Sequence, residues 1–232
     1  MTFKEYIYRL SSGFGIKLFS KIFPEYFASE PLAPSDRYLE NYFAIKNIPK
    51  PPAKILDVGS SGCYFPLILA ASGYDAFSID IRPYPILKKL NFENFTFKQA
   101  DICNSPFPDN YFDGITAISM IEHIGLEGRY GMREAEDADI IAVREMIRIL
   151  KQDGTLILTV PCGQPMVIKP FHRIYDRRRI EQLAGGYLLP ELFEYYLRDG
   201  NGDWSSCKQE EAESIDARKA DCAICLVKLR KK

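Results

Sequence analysis

The chain has 232 residues, with 30 Lys and Arg against 31 Asp and Glu, a formal net charge of -1. A protein that lives on phosphate contacts carries a visible basic excess, so nucleic-acid binding by bulk charge is excluded. At 47% hydrophobic and 13% aromatic the chain is no disordered polymer, and its length suits one domain, or a domain with an appendage, able to bury roughly 70% of its unfolded surface without a disulfide or metal staple.

Residues 1–50 are aromatic-rich and read as an N-terminal helical cap ending at Pro49, Pro51 and Pro52, where a helix cannot continue. Lys4, Glu5, Arg9 and Lys17 interrupt its apolar stretches, so no signal peptide is expected. With Lys4, Arg9, Lys17 and Lys21 this stretch suits peripheral contact with a membrane surface, or, more plainly, a segment that packs over its own domain's pocket. The longest uncharged run, Val58–Tyr74, is broken by Gly59, Gly62, Pro66 and Gly73 and is too short to span a bilayer. The scattered Cys63, Cys103, Cys162, Cys207, Cys222 and Cys225 fit a reduced, cytoplasmic location.

From residue 51 to 232 the pattern is that of a second unit. A short strand, Lys54–Gly59, is followed by a helix over Tyr64–Ser72 and strands over Asp75–Ile81, Phe95–Gln99 and Phe112–Ser119. A helix over Glu134–Leu150 carries Asp137 and Asp139 in its early turns, where the helix dipole favours them. Gly154 then opens a strand over Thr155–Val160 that Pro161 stops. Strands and helices alternating in this way predict an α/β fold with a doubly wound, mostly parallel sheet. Leu192–Leu197 and Ala223–Leu229 read as an antiparallel edge pair joined by a polar, acidic loop without a helix.

In such a sheet the ligand lies beyond the carboxyl ends of the strands. The first strand ends in Asp57-Val-Gly-Ser-Ser-Gly-Cys63, whose Gly59, Ser60, Ser61 and Gly62 let a ligand approach the main chain. The second ends at Asp80 and Ile81, where a carboxylate 23 residues after Asp57 can accept both hydroxyls of a ribose. The third turn carries Asp101 for an exocyclic amine and Ile102 for a purine face. A dinucleotide site needs G-x-G-x-x-G, and counting from Gly59 gives Ser61 and Tyr64, so two of three glycines fail; the P-loop pattern fails too. Asp57 suits a cationic or amino-bearing ligand better than a pyrophosphate.

Leu-Asp-Val-Gly at 56–59, Ile-Asp at 79–80, Ala-Asp-Ile at 100–102, the run from Pro106 to Asp113 and Ile-Glu-His-Ile at 121–124, in this order and spacing, resemble a class I S-adenosylmethionine-dependent methyltransferase with a Rossmann-like sheet. The resemblance covers Lys54 to Val160, and it implies that the Gly59 loop holds the methionine part of S-adenosyl-L-methionine, Asp80 the ribose, and Asp101 with Ile102 the adenine. Ser119, closing the fourth strand, joins this cofactor set. Ser61 and Cys63 stand where the family has glycines. The segments Phe171–Asp176 and Ala223–Arg230 are similar to methyltransferases of glycan and polysaccharide synthesis.

For chemistry, Glu122 and His123 follow the fourth strand at the pocket mouth; there a histidine can take a proton near neutral pH, while the plainer role is to hydrogen-bond a nearby loop. His172 is the other histidine, so His123 and His172 are the candidate bases and Glu122 an orienting partner. Asp176 reads as an N-cap, and Arg177, Arg178 and Arg179 crowd the first turn after it against the helix dipole, as an anionic acceptor or an ordinary solvated basic face would allow. The stretch at about 162–190 is thus expected to be an acceptor-site insertion. Cys222 and Cys225 resemble the start of a zinc module, but too few ligand residues follow, so no metal is expected. The expected activity is methyl transfer to oxygen, less readily nitrogen, of a small or glycan-linked acceptor. An NAD(P)-dependent oxidoreductase or sugar epimerase, and a catalytically silent cofactor-binding module, are the alternatives.

Overall fold

A computed structural model describes residues 36–60, 63–84, 93–127, 134–218 and 222–232. Of the expected N-terminal cap, residues 1–35, including Lys4, Arg9, Lys17 and Lys21, lie outside the described residues, as do Ser61 and Gly62. The order is α1 (Arg37–Asn47), β1 (Lys54–Val58), α2 (Phe65–Ala71), β2 (Asp75–Asp80), β3 (Phe95–Gln99), β4 (Phe112–Ile118), α3 (Ala138–Ile149), β5 (Leu150–Cys162), β6 (Met166–Ile168), β7 (His172–Ile174), α4 (Arg177–Ala184), β8 (Leu188–Arg198), β9 (Trp204–Cys207), α5 (Gln209–Glu213) and β10 (Cys222–Lys231).

Eight strands form one sheet in the order β3-β2-β1-β4-β5-β10-β8-β9. The first five run parallel, and β10, β8 and β9 are added antiparallel. The doubly wound, mixed sheet of the sequence reading is therefore present, with two corrections. The C-terminal extension has three strands, with β10 inside the sheet and β9 at its edge, and the polar stretch between β8 and β10 contains the short helix α5. Strand β9 is four residues of Trp-Ser-Ser-Cys with half of them exposed, a pattern without the apolar alternation that marks a strand.

Alternation along the central strands explains the layers. In β1, Leu56 and Val58 face a core shared with α3 and α4, while Ile55 faces a second core shared with α1 and α2. Helix α4 starts as its sequence says it should, with the Asp176 side chain accepting from Arg179 N at 2.7 Å, and ends at Gly185 in the left-handed region. Helix α1 crosses the second core with Leu39, Phe43 and Ala44 buried on one face.

Glu40 on α1 is fully buried as well. Its carboxylate accepts from Thr159 Oγ1 at 2.6 Å, from Ser119 Oγ and from Arg37 Nη1 at 2.9 Å, so one side chain ties the helix to the ends of β4 and β5. A carboxylate without water is stable only when its lone pairs are filled in this way. Glu40→Ala leaves the Arg37 charge and two hydroxyls without that acceptor, and we expect urea denaturation to show a loss of about 3 kcal/mol; a loss below about 1 kcal/mol would contradict this role.

Candidate functional site

The sheet order reverses between β1 and β4, so a crevice opens beyond their carboxyl ends. Main-chain hydrogen bonds lace the three strand ends together: Gly59 N donates to Ile79 O at 2.9 Å and Ala100 N to Asp80 O at 3.0 Å. Asp57, Gly59, Asp80 and Asp101 are thereby brought to one rim. Gly59 has φ +81°, and a Cβ there would lie 2.2 Å from Met120 Cγ, so the position needs glycine for both its backbone and the methionine leaning over it. Ser60 is buried and shares a hydrogen bond with Ser78. Tyr84 donates to Cys63 O at 2.6 Å and pins the far side of the first loop.

Asp57 is buried and accepts from Thr116 Oγ1 at 2.8 Å. Burial pushes its carboxyl up to about 7 in spite of that bond and of the Arg37 charge. Asp80 ends β2 with Oδ1 accepting from Arg82 N at 2.8 Å. Asp101 caps a turn of 3-10 helix, Ile102–Asn104, by accepting from Cys103 N at 2.8 Å, and Ile102 is buried in the core beneath it. Ile81 lies between Asp80 and Arg82 at the same strand end. Ser119 has φ +43°, and its hydroxyl is directed at Glu40. Arg37, held by Glu40 and by Ile118 O at 3.2 Å, lies within electrostatic reach of Asp57, Cys63 and Glu122.

On the other side of the crevice a second 3-10 turn, Ile121–His123, follows β4. Glu122 is buried, with Oε1 3.6 Å from His123 Nε2. His123 Nδ1 lies 2.6 Å from Phe171 O, and the His123 and His172 rings meet edge to face, 6.4 Å between centroids. The two histidines, 49 positions apart in the sequence, are thus brought together by the β6–β7 hairpin. Arg173 secures that hairpin: its guanidinium, buried, donates to Ile124 O at 2.5 Å, Glu136 O at 3.2 Å and Ala135 O at 3.3 Å. The arginine cluster is spent mainly on the fold. Arg179 pairs with buried Asp139 at 3.2 Å, which also accepts from Tyr175, and Arg177 pairs with Glu181 and lies over the Phe193 ring. Cys225 is buried and Cys222 exposed, on opposite faces of β10.

Met120, Arg37, Glu40, Tyr84 and Arg173 were missed by the sequence reading. Arg173 alone left a trace, as a basic residue inside an otherwise strand-like His-Arg-Ile.

Residues 56–158 match the family described as a methyltransferase domain. The ubiquinone/menaquinone biosynthesis C-methyltransferase UbiE of Serratia proteamaculans is 32% identical over 106 residues, 46% of this chain and 34% of that protein. UbiE of Proteus mirabilis is 31% identical over 108 residues, 47% of this chain and 35% of that one. The chain thus spans about a third of the length of these curated relatives. Among solved structures, the YcgJ protein of Bacillus subtilis superposes with TM-score 0.60 at 16% identity, covering 84% of this chain and 99% of that one. The 1,6-didemethyltoxoflavin-N1-methyltransferase of Burkholderia thailandensis, solved with 1,6-didemethyltoxoflavin and S-adenosylhomocysteine, gives TM-score 0.55 at 13% identity over 100% of this chain and 91% of that one. At these identities the likeness carries the fold: an α/β, Rossmann-like methyltransferase sheet with antiparallel C-terminal strands.

Because the Asp57 carboxyl is held up at about 7, the folded chain binds a proton there that the unfolded chain has lost from about pH 4 upward, and stability falls as pH rises through that window. Denaturation measured between pH 5 and 8 should show a slope that Asp57→Asn makes shallower, by up to about 1.4 kcal/mol per pH unit. An unchanged slope would mean that Asp57 is ionised in the fold.

Proposed function

From the match of residues 56–158 to the methyltransferase-domain family, we propose that the chain transfers a methyl group from S-adenosyl-L-methionine to an oxygen of a small or glycan-linked acceptor. The observation that carries the reading is the rim itself: three strand ends joined by main-chain hydrogen bonds and presenting Asp57, Asp80 and Asp101 around Gly59, whose left-handed backbone and close neighbour admit no side chain. The residues fit the cofactor. An acid buried beside the first loop suits a ligand that is cationic at sulfur and nitrogen, Asp80 suits a pair of ribose hydroxyls, and Asp101 an exocyclic amine.

When bound, S-adenosylmethionine supplies an electrophilic methyl group on a positively charged sulfur. The chain's own part is to position and to exclude water. Gly59, Ser60 and Ser119 line the methionine end, Asp80 with Ile81 the ribose, and Asp101 with Ile102 the adenine. Helix α1 covers one side, and the 162–190 stretch walls the acceptor on the other. Orientation of this kind is worth several kcal/mol of the barrier, of the order seen in intramolecular reactions. His123 takes the acceptor's proton, with His172 beside it and Glu122 as its partner. The relatives are named for carbon and nitrogen methylation, so the oxygen preference rests on the residues at the mouth and the glycan link on the Phe171–Asp176 and Ala223–Arg230 likeness. Arg177 and Arg179 are engaged elsewhere, and an anionic acceptor draws no support from them. No helix among the described residues is long and apolar enough to cross a membrane.

Calorimetric titration tests the reading. S-adenosylmethionine and S-adenosylhomocysteine should both bind, and Asp80→Ala should weaken both by about tenfold or more, as loss of charge-assisted hydrogen bonds requires. His123→Ala should leave that affinity in place and lower kcat on an accepted substrate about 10²-fold or more. A folded protein that ignores both ligands and binds a nicotinamide dinucleotide would replace this reading with the oxidoreductase one. Binding with no turnover on any acceptor, unchanged in His123→Ala, would favour the silent module.

A further inference from the structure

Glu122 Oε2 is buried and has no hydrogen-bond partner among the described residues, a costly state for a side chain that is only 2% exposed. Its other oxygen faces His123 Nε2 at 3.6 Å. The charged and titratable groups that act on it from the neighbouring elements are Asp36, Arg37 and Glu40 around the start of α1 and Tyr175 after β7. Burial first, then the Glu40 and Asp36 carboxyls, push Glu122 up to about 8, against the opposing pull of its own backbone N–H and of Arg37. In the protein without ligand it holds a proton at pH 7.

The imidazole beside it has a fixed orientation. A carbonyl oxygen only accepts, so His123 Nδ1, 2.6 Å from Phe171 O, carries a hydrogen. The ring's proton-accepting atom is then Nε2, which faces the Glu122 carboxyl. Two groups able to hold a proton thus stand 3.6 Å apart at the end of the strand that borders the switch point.

We propose that the Glu122–His123 pair is the proton store of the methyl transfer, giving up its proton when the cationic cofactor arrives and taking the acceptor's proton when the charge on sulfur disappears. This rests on the methyltransferase reading. In the transfer, an acceptor lone pair forms the bond to the methyl carbon, the carbon–sulfur bond breaks with its electron pair left on sulfur, and the acceptor's proton passes to the pair. The pair is anionic opposite a sulfonium before the step and neutral opposite a thioether after it, so the buried site never carries an uncompensated charge.

The test counts protons by calorimetric titration at pH 7 in two buffers of different ionisation enthalpy, using S-adenosylmethionine and S-adenosylhomocysteine. The two share their ammonium and carboxylate, so any response of Asp57 or Asp36 to those groups cancels in the difference, which isolates the sulfonium charge. The expected result is that S-adenosylmethionine releases more protons than S-adenosylhomocysteine, by up to about one per site, and that Glu122→Gln removes the difference while both ligands still bind. At pH 9.5 the wild type should show no difference either, because the free pair has already lost its proton, and this arm holds even if Glu122→Gln does not fold. Equal counts for the two ligands at pH 7, a difference that survives in Glu122→Gln, or one that persists at pH 9.5 would each overturn the proposal. Failure of the wild type to bind either ligand would overturn the methyltransferase reading instead.

Discussion

One carboxylate that water never reaches sets the geometry on which the rest of the crevice depends. Thr159, Ser119 and Arg37 all donate to the Glu40 carboxyl inside the protein, and the same three bonds fix α1 across the carboxyl ends of β4 and β5. That crossing places Arg37 within reach of Asp57, Cys63 and Glu122. Without it Asp57 and Glu122 would lose the positive charge of Arg37 that moderates them. With it, one arginine stands among the Asp36, Glu40, Asp57 and Glu122 carboxyls, and a site so composed favours a ligand that brings positive charge.

The two sides of the crevice are built by different means. On the side proposed for the cofactor the main chain does the positioning: strand ends are joined through Gly59 N and Ala100 N, and side chains such as Asp101 are locked by their own turns. On the side proposed for the acceptor, side chains do it. Arg173 reaches from the β6–β7 hairpin to three carbonyls beyond β4 and so brings His172 to His123. A main-chain scaffold tolerates change in the surrounding loops, whereas a hairpin held largely through side chains, Arg173 and His123 among them, can be exchanged for another.

The strand ends of the parallel half were legible in the sequence because their signals are local. A short apolar strand ending in Asp-Val-Gly, a second ending in Ile-Asp and an Ala-Asp-Ile turn each announce themselves within a few residues, and the switch point follows from their order. Glu40 could not be read in this way: its partners lie 79 and 119 positions away, and on its own helix it reads as a solvated acid. Strand β9 was missed because its burial is partial and its residues polar, and α5 because five residues, QEEAE, leave no periodicity to detect. The arginines at 177–179 were legible as a cluster but not as to direction, since Asp139 and Phe193, which engage two of them, come from α3 and β8.

Hydrogen–deuterium exchange with and without S-adenosylhomocysteine addresses the central claim most directly, that three strand ends form a single cofactor rim. Protection should rise together in the peptides that contain Asp57–Ser60, Ile79–Arg82 and Asp101–Asn104, with little change along β8 and β9. Protection confined to β8 and β9, or to one of the three strand ends alone, would contradict it.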